Sequence, residues 1–396
     1  MNKAMGKAQA TSWGVLVLAA GLIAVQPMGC LDVDEPQELD AEGTGDYLAD
    51  LGSVVIVPTV DAFLVEVDAL DSTLQDLQAD PSTLSAAQAQ WRTTMAAWQE
   101  LEVMQIGPAA SSLTDLAGED LRDEIYSWPT INACRVDQET VAEGWENADF
   151  FETRLVNSYG LDAIEHLLFA PLENACPGQI DINSDGTWDA LGDVGVADHR
   201  ARYAVALIAN IRTQGEAIRD VWAVDGQDFS ATIAADDGGP YGSRQEALNA
   251  IYDAMFYLEK ITKDRKLAQP IGLRDCSEQQ CPEDVEGLIS GSGLASIEAN
   301  LIGFELLFTG GDGAGMDDLL IEVGEEALSE EILTNLAAAQ AQAASMEGPL
   351  DVAIVERPEE VQALHDSIKA VADILKGDMA TVLLLQIPDE AAGDND

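Results

Sequence analysis

An all-α fold, built of two packed helical bundles, is predicted by three observations on this sequence. Apolar residues recur at three- and four-residue spacings over long stretches, as in Val361, Leu364, Ile368, Val371 and Leu375. Proline and glycine break these stretches at intervals that suit helices joined by short connections. No segment reads as an alternating-strand domain, and there is no phosphate loop. The chain has 396 residues, 47% of them hydrophobic, which is enough for two ordinary cores. Residues 225–243, rich in Asp, Gly and Ala with Pro240 among them, are the expected boundary between bundles at 47–235 and 236–390.

Taken in order, the elements begin with an export signal. Lys3 and Lys7 precede the apolar run Trp13 to Val25, and the run ends at Gln26-Pro27-Met28-Gly29-Cys30. Residues 1–29 read as a lipoprotein signal peptide, with Gly29-Cys30 resembling a lipobox and Cys30 as the residue that is cleaved before and acylated. No second hydrophobic stretch is read as long enough to cross a bilayer. Residues 30–46 then form an acidic tether, poor in aromatics and punctuated by Pro and Gly.

From Tyr47 to Leu77 the pattern is helical with a joint at Pro58, and the flanking periodicity outweighs the strand character of Val54, Val55 and Val57. Pro81 starts the next helix, and Leu84 to Ile106 carry Trp91, Met95 and Trp98 as a core stripe that ends at Gly107-Pro108. Short helices over 121–126 and 136–145 lead to a central one over 157–169. Further helices are predicted over 196–224, 245–266, 288–308 and 319–344, and Pro358 opens the last. The arginines of 196–224, Arg202, Arg212 and Arg219 among them, are expected to pair with surrounding carboxylates.

The central helix carries the chemistry. Leu161, Ile164 and Leu168 share its apolar stripe, and Asp162, Glu165 and His166 stand three and four residues apart on a neighbouring one. Two carboxylates and an imidazole on one strip can ligate a metal or move protons, although a solvated helix face has the same composition. Gly160-Leu161-Asp162-Ala163-Ile164-Glu165 resembles the Gly-x-His-x-x-Glu signature of the imelysin-like proteins, with Asp162 where that family most often has histidine. Trp98 to Pro108, Tyr126-Ser127-Trp128-Pro129, Lys266 to Ile271 and Leu301-Ile302-Gly303 resemble further segments of the family, so the similarity extends over roughly residues 50 to 388. It implies an all-α cell-envelope protein associated with iron uptake, of a kind first described as metallopeptidases.

Two other patterns bear on metals and redox state. Asp181, Asn183, Asp185, Thr187 and Asp189 have calcium-loop spacing, with Gly186 at the tight turn, but Gly192 replaces the bidentate glutamate that closes such a loop. Apart from Cys30 there are four cysteines, an even number that suits disulfides in an exported chain. Of the three pairings, Cys134 with Cys176 and Cys276 with Cys281 are favoured, the first because both flank the central helix and the second because both lie in one polar loop.

Nineteen basic against 72 acidic residues give a formal charge of -53, which excludes nucleic acid as a partner and suits a surface adapted to salt. With His-Glu-x-x-His absent and only His166, His199 and His365 in the chain, a zinc peptidase is disfavoured. The expected function is that of a lipid-anchored, non-catalytic protein of the bacterial envelope, on the outer membrane facing the periplasm. It binds metal, iron before calcium, as an accessory of uptake, and an envelope protein is its expected partner. The alternatives are an interaction lipoprotein without a reactive site and, behind it, a metallopeptidase.

Overall fold

The chain is helical from Gly43–Asp50, passes through a π-helical turn at Leu51–Ile56 and continues as helix Val57–Ala79. Pro58 lies in the first turn of that last segment, where the missing N–H leaves no bond unmade, so the expected joint is a change of helix type. This computed structural model describes residues 43–388 and 391. The signal peptide, Cys30 and the tether up to residue 42 lie outside the described residues. Residues 43–46, read from the sequence as the end of the tether, instead begin a helix that buries Thr44, Tyr47 and Leu48.

Gly43–Ala79 is also long and apolar enough to cross a membrane, which corrects the expectation that no second stretch reaches that length. Val60, Phe63, Val67, Leu70 and Leu74 of this stretch are fully buried among other helices. Its apolar face is spent on the protein core, at roughly 1.5–3 kcal/mol for each large side chain.

Helix Val57–Ala79 packs against Leu84–Glu102 and against Thr187–Trp222. Leu84–Glu102 turns its other side to Gly293–Thr309, and the two backbones meet at Gly303. A Cβ there would lie 2.1 Å from the Glu100 carbonyl oxygen, so only glycine allows the approach. Glu326–Ser345 lies on Pro358–Ile374, which in turn packs on a second π-helical segment, Leu258–Ala268. One apolar core runs through these helices from Tyr47 to Leu385, and no strand occurs among the described residues.

Several boundaries differ from the periodic reading. The helix predicted from 288 starts at Gly293, because Gly287 to Ser292 close a turn through Gly291 N–H donating to the Gly287 carbonyl at 2.8 Å. The stretch 319–344 falls within two helices, Met316–Glu322 and Glu326–Ser345, parted at Gly324 with φ of 88°. The helix over 245–266 ends at Met255 and resumes as the π-helical segment.

The structure contains the disulfides Cys134–Cys176 and Cys276–Cys281, spanning 42 and 5 residues. Closing a loop restricts the unfolded chain, by about 4 kcal/mol for the longer span and about 2 kcal/mol for the shorter. The Cys134→Ser/Cys176→Ser variant is therefore expected to lose more stability in urea unfolding than Cys276→Ser/Cys281→Ser. Equal losses would show that loop length does not govern the effect here.

Candidate functional site

The central helix, Leu161–Phe169, starts from Gly160 at φ of 102°. A Cβ on Gly160 would come within 2.9 Å of both Asp162 Oδ1 and the Ile125 carbonyl oxygen, so this glycine makes room for the acid two residues on. Trp91 Nε1 donates to the Leu161 carbonyl at 2.9 Å and fixes the first turn. Leu161, Ile164 and Leu168 enter the core as their spacing requires. The polar residues are buried too, so the helix has no solvated strip: Asp162, Glu165 and His166 are 3%, 9% and 8% exposed.

Those three side chains do not converge. Asp162 accepts from Ser127 Oγ at 2.8 Å and from the Ala163 N–H at 2.9 Å. Glu165 Oε1 accepts from the Ser290 N–H at 3.0 Å. His166 turns the other way, with Nε2 3.0 Å from Asp137 Oδ1. Asp137 also takes the Ala175 N–H at 2.7 Å and Arg200 Nη2 at 3.4 Å, so the imidazole belongs to a structural cluster beside the Cys134–Cys176 bridge. Of the expected trio, only Asp162 and Glu165 act on each other, through their charges, and His166 is removed by the competition of a fully buried aspartate.

Around the pair lies a buried polar network drawn from distant parts of the chain. Tyr126 donates to Glu286 Oε1 at 3.0 Å, and Lys266 Nζ stands 2.9 Å from Glu286 Oε2. Lys266 also donates to Gln99 Oε1 and, at 2.8 Å, to Asn300 Oδ1. Arg122 holds Glu102 Oε1 at 2.6 Å. The Tyr126 hydroxyl is pushed well above its usual range, by burial first and then by the charges of Glu286, Glu102, Glu165 and Asp162. These groups therefore form one electrostatic cluster.

Cations are distributed unevenly over that cluster. Among the buried carboxylates of the described residues, Glu102, Asp137, Glu139, Glu259, Asp264 and Glu286 each contact a cationic side chain. Asp162 and Glu165 contact none; Arg122 and Arg92 act on them only at a distance. Burial pushes the Asp162 carboxyl up to about 7, against the lowering effect of the Ser127 and Ala163 hydrogen bonds. It pushes Glu165 up to about 7 as well, against the bonds from Ser290. Near neutral pH both carboxyls are therefore partly protonated.

The predicted calcium segment folds differently from a wrapped loop. Asp181–Ser184 is a helical turn and Thr187–Trp222 is helical on both sides of a break at Gly192 with φ of 61°, the two joined at Gly186 with φ of 69°. Ile182 and Trp188 bury themselves with Val196 in a small apolar cluster of their own, which winds the segment up. Asn183 donates to the Cys176 carbonyl at 2.9 Å and accepts from Asn174 at 2.7 Å, and the Thr187 hydroxyl donates to the Ile182 carbonyl at 3.4 Å. Asp181, Asp185 and Asp189 are exposed. Among the described residues, no three His, Cys, Asp or Glu side chains group as a metal would require.

The sequence reading missed Ser127 and Ser290 as the groups that hold the pair, and Glu102, Glu286, Gln99 and Asn300 as its surroundings. Ser127, Gln99 and Glu102 lie inside segments already singled out, so a signal for them existed; Glu286 and Ser290 had none. Two clefts adjoin the network, one of about 690 Å³ bordered by Tyr257, Gln269 and Arg265, the other of about 350 Å³ bordered by Trp128, Gln269 and Arg265.

A family model described as Imelysin matches residues 56–376. Among solved structures, the chain is similar to an imelysin-like protein from Psychrobacter arcticum 273-4, with a TM-score of 0.66 at 17% identity, covering 89% of this chain and 99% of that one. It is likewise similar to a protein from Parabacteroides distasonis ATCC 8503 described as an iron-regulated protein A precursor, with a TM-score of 0.66 at 13% identity, covering 88% of this chain and 96% of that one. No curated protein matches the chain.

Proposed function

We propose, from the premise that this chain belongs to the imelysin family, that it is a non-catalytic metal-binding lipoprotein of the bacterial envelope, with iron as its cargo and metal uptake as its setting. One observation carries the reading: among the described residues, Asp162 and Glu165 are the buried carboxylates without a cationic partner, and they occupy the family's signature. A metal cation would supply the missing charge. It would take carboxylate oxygens from both residues and release their protons. The other coordination positions would fall to water or to groups that arrive with the metal. The similarity to an iron-regulated protein favours iron over calcium.

Peptidase chemistry needs three protein ligands on the metal and an open position for water. Asp162 stands where the family signature most often has histidine, and His166, His199 and His365 are engaged with Asp137, the Thr140 carbonyl and Asp366 respectively. Anchoring follows from the Gly29-Cys30 lipobox, with lipid on Cys30 placing the domain at the outer membrane facing the periplasm, beside an envelope partner.

The test is calorimetric titration of the delipidated chain with Fe²⁺ under anaerobic conditions and with Ca²⁺. Glu165→Ala is expected to weaken Fe²⁺ binding at least about tenfold, the loss of one charge-assisted ligand, with unchanged helical content by circular dichroism. Absence of Fe²⁺ binding by the wild type would leave the family's alternative role, an interaction lipoprotein without a metal.

A further inference from the structure

In a chain with 72 acidic and 19 basic residues, a free cation is scarce. Among the described residues every lysine and arginine but one is partnered, nearly all in ion pairs such as Arg212 with Asp71 at 2.8 Å and Arg219 with Asp61 at 2.6 Å. Arg92, which has no ion pair, donates to the Ser290 carbonyl at 2.9 Å and lies over the Phe169 ring. Arg265 is the exception. It is exposed, has no partner, and borders both clefts beside the buried network.

Its position is set by the π-helical segment Leu258–Ala268, a helix type that recurs at functional sites. The wider turn buries Lys263, Asp264 and Lys266 and leaves Arg265 between them facing out. Gln105 and Thr114, which also line the larger cleft, carry side-chain donors without a partner. That cleft further contains Asp115, Asp253, Asp264 and Asp275, with Lys260 and Arg274 engaged in ion pairs to Asp253 and Asp264.

We infer that the larger cleft binds a small hydroxylated monocarboxylate of the sugar-acid class, with its carboxylate on the Arg265 guanidinium. The planar guanidinium fork matches a carboxylate and gives two parallel hydrogen bonds. The aspartates accept hydrogen bonds from hydroxyl groups but repel a second negative charge, which disfavours phosphate dianion and polycarboxylates. A volume of about 690 Å³ is within the range of small-ligand sites. The overall charge of -53 does not prevent binding, since at physiological ionic strength it is screened beyond about 8 Å, whereas the Arg265 contact is direct.

The experiment titrates the full mature chain with D-gluconate, with neutral D-glucose and with inorganic phosphate. Saturable gluconate binding, weakened about tenfold or more in Arg265→Ala and absent for glucose, is the expected result. Because Arg265 is exposed and unpartnered, the variant should keep the wild-type melting temperature and helical content. Arg357→Ala, at an exposed pair with Glu360, should bind as wild type does. The inference is overturned by gluconate binding that Arg265→Ala leaves unchanged, by phosphate binding more tightly than gluconate, or by no saturable binding at all. The Fe²⁺ affinity of Arg265→Ala reports separately on the carboxylate pair and is expected to be unaltered.

Discussion

Lys266→Ala is expected to destabilise the protein by about 3–5 kcal/mol, the usual cost of stranding one member of a buried ion pair. Lys266 is 1% exposed, and its ammonium is shared by Glu286, Gln99 and Asn300. Truncation leaves the Glu286 carboxylate buried without its cation and the two amide oxygens without their donor. Lys266→Met retains the volume of the stem but not the charge, so a loss close to that of alanine assigns the effect to electrostatics. Adding Glu286→Gln to Lys266→Met should recover much of it, since both charges are then gone. Urea unfolding of the three variants checks this, and a loss below about 1 kcal/mol for alanine, the level of an exposed pair, would contradict the buried-pair description.

In the metal-free protein, stability should fall as pH rises between about 4 and 7 through the Asp162 and Glu165 carboxyls. Both are raised to about 7 in the folded chain, from ordinary values of 3.8 and 4.5. The folded state therefore binds more protons than the unfolded state across that window. Its advantage is complete below the unfolded values and is lost by the time pH passes the folded ones. A gap of about three units corresponds to about 3–4 kcal/mol for each acid. Asp162→Asn/Glu165→Gln removes the titration, so the double variant should gain stability over wild type at pH 8 while the two remain similar at pH 4. A wild-type minus variant difference that is flat with pH would rule out these two groups as its source.

Much of the architecture could be read from the periodicity of the sequence, because a helix that buries one face must repeat its apolar residues. The stripes through Trp91 and Trp98 and through Val361 to Leu375 are both core. Periodicity does not report what the polar residues of a buried helix touch. His166 stands four residues from Asp162, which suggested a shared ligand direction, yet Asp137 on a neighbouring helix claims it. Ser290 meets the central helix, and Glu286 meets Tyr126, across more than a hundred residues of chain, and nothing local in the sequence marks such a meeting. The calcium spacing is compatible with a second local fold for a related reason. Oxygen-bearing residues at alternate positions also fit a helical turn once Ile182 and Trp188 have an apolar cluster to enter.

The π-helical segment Leu258–Ala268 has a consequence for how this family can vary. Its hydrogen bonds reach back five residues, as from the Gln269 N–H to the Asp264 carbonyl at 2.9 Å, so the segment accommodates extra chain within an otherwise α-helical path. Removing one residue would let it relax to the tighter α form, and the side chains inside the segment would be redistributed around the axis. Lys266 would swing off Glu286, and Arg265 would leave the cleft. Point substitutions can accumulate here one at a time, whereas an insertion or deletion changes both the buried pair and the exposed arginine in a single step. Length in this segment should therefore be inherited more strictly than amino-acid identity.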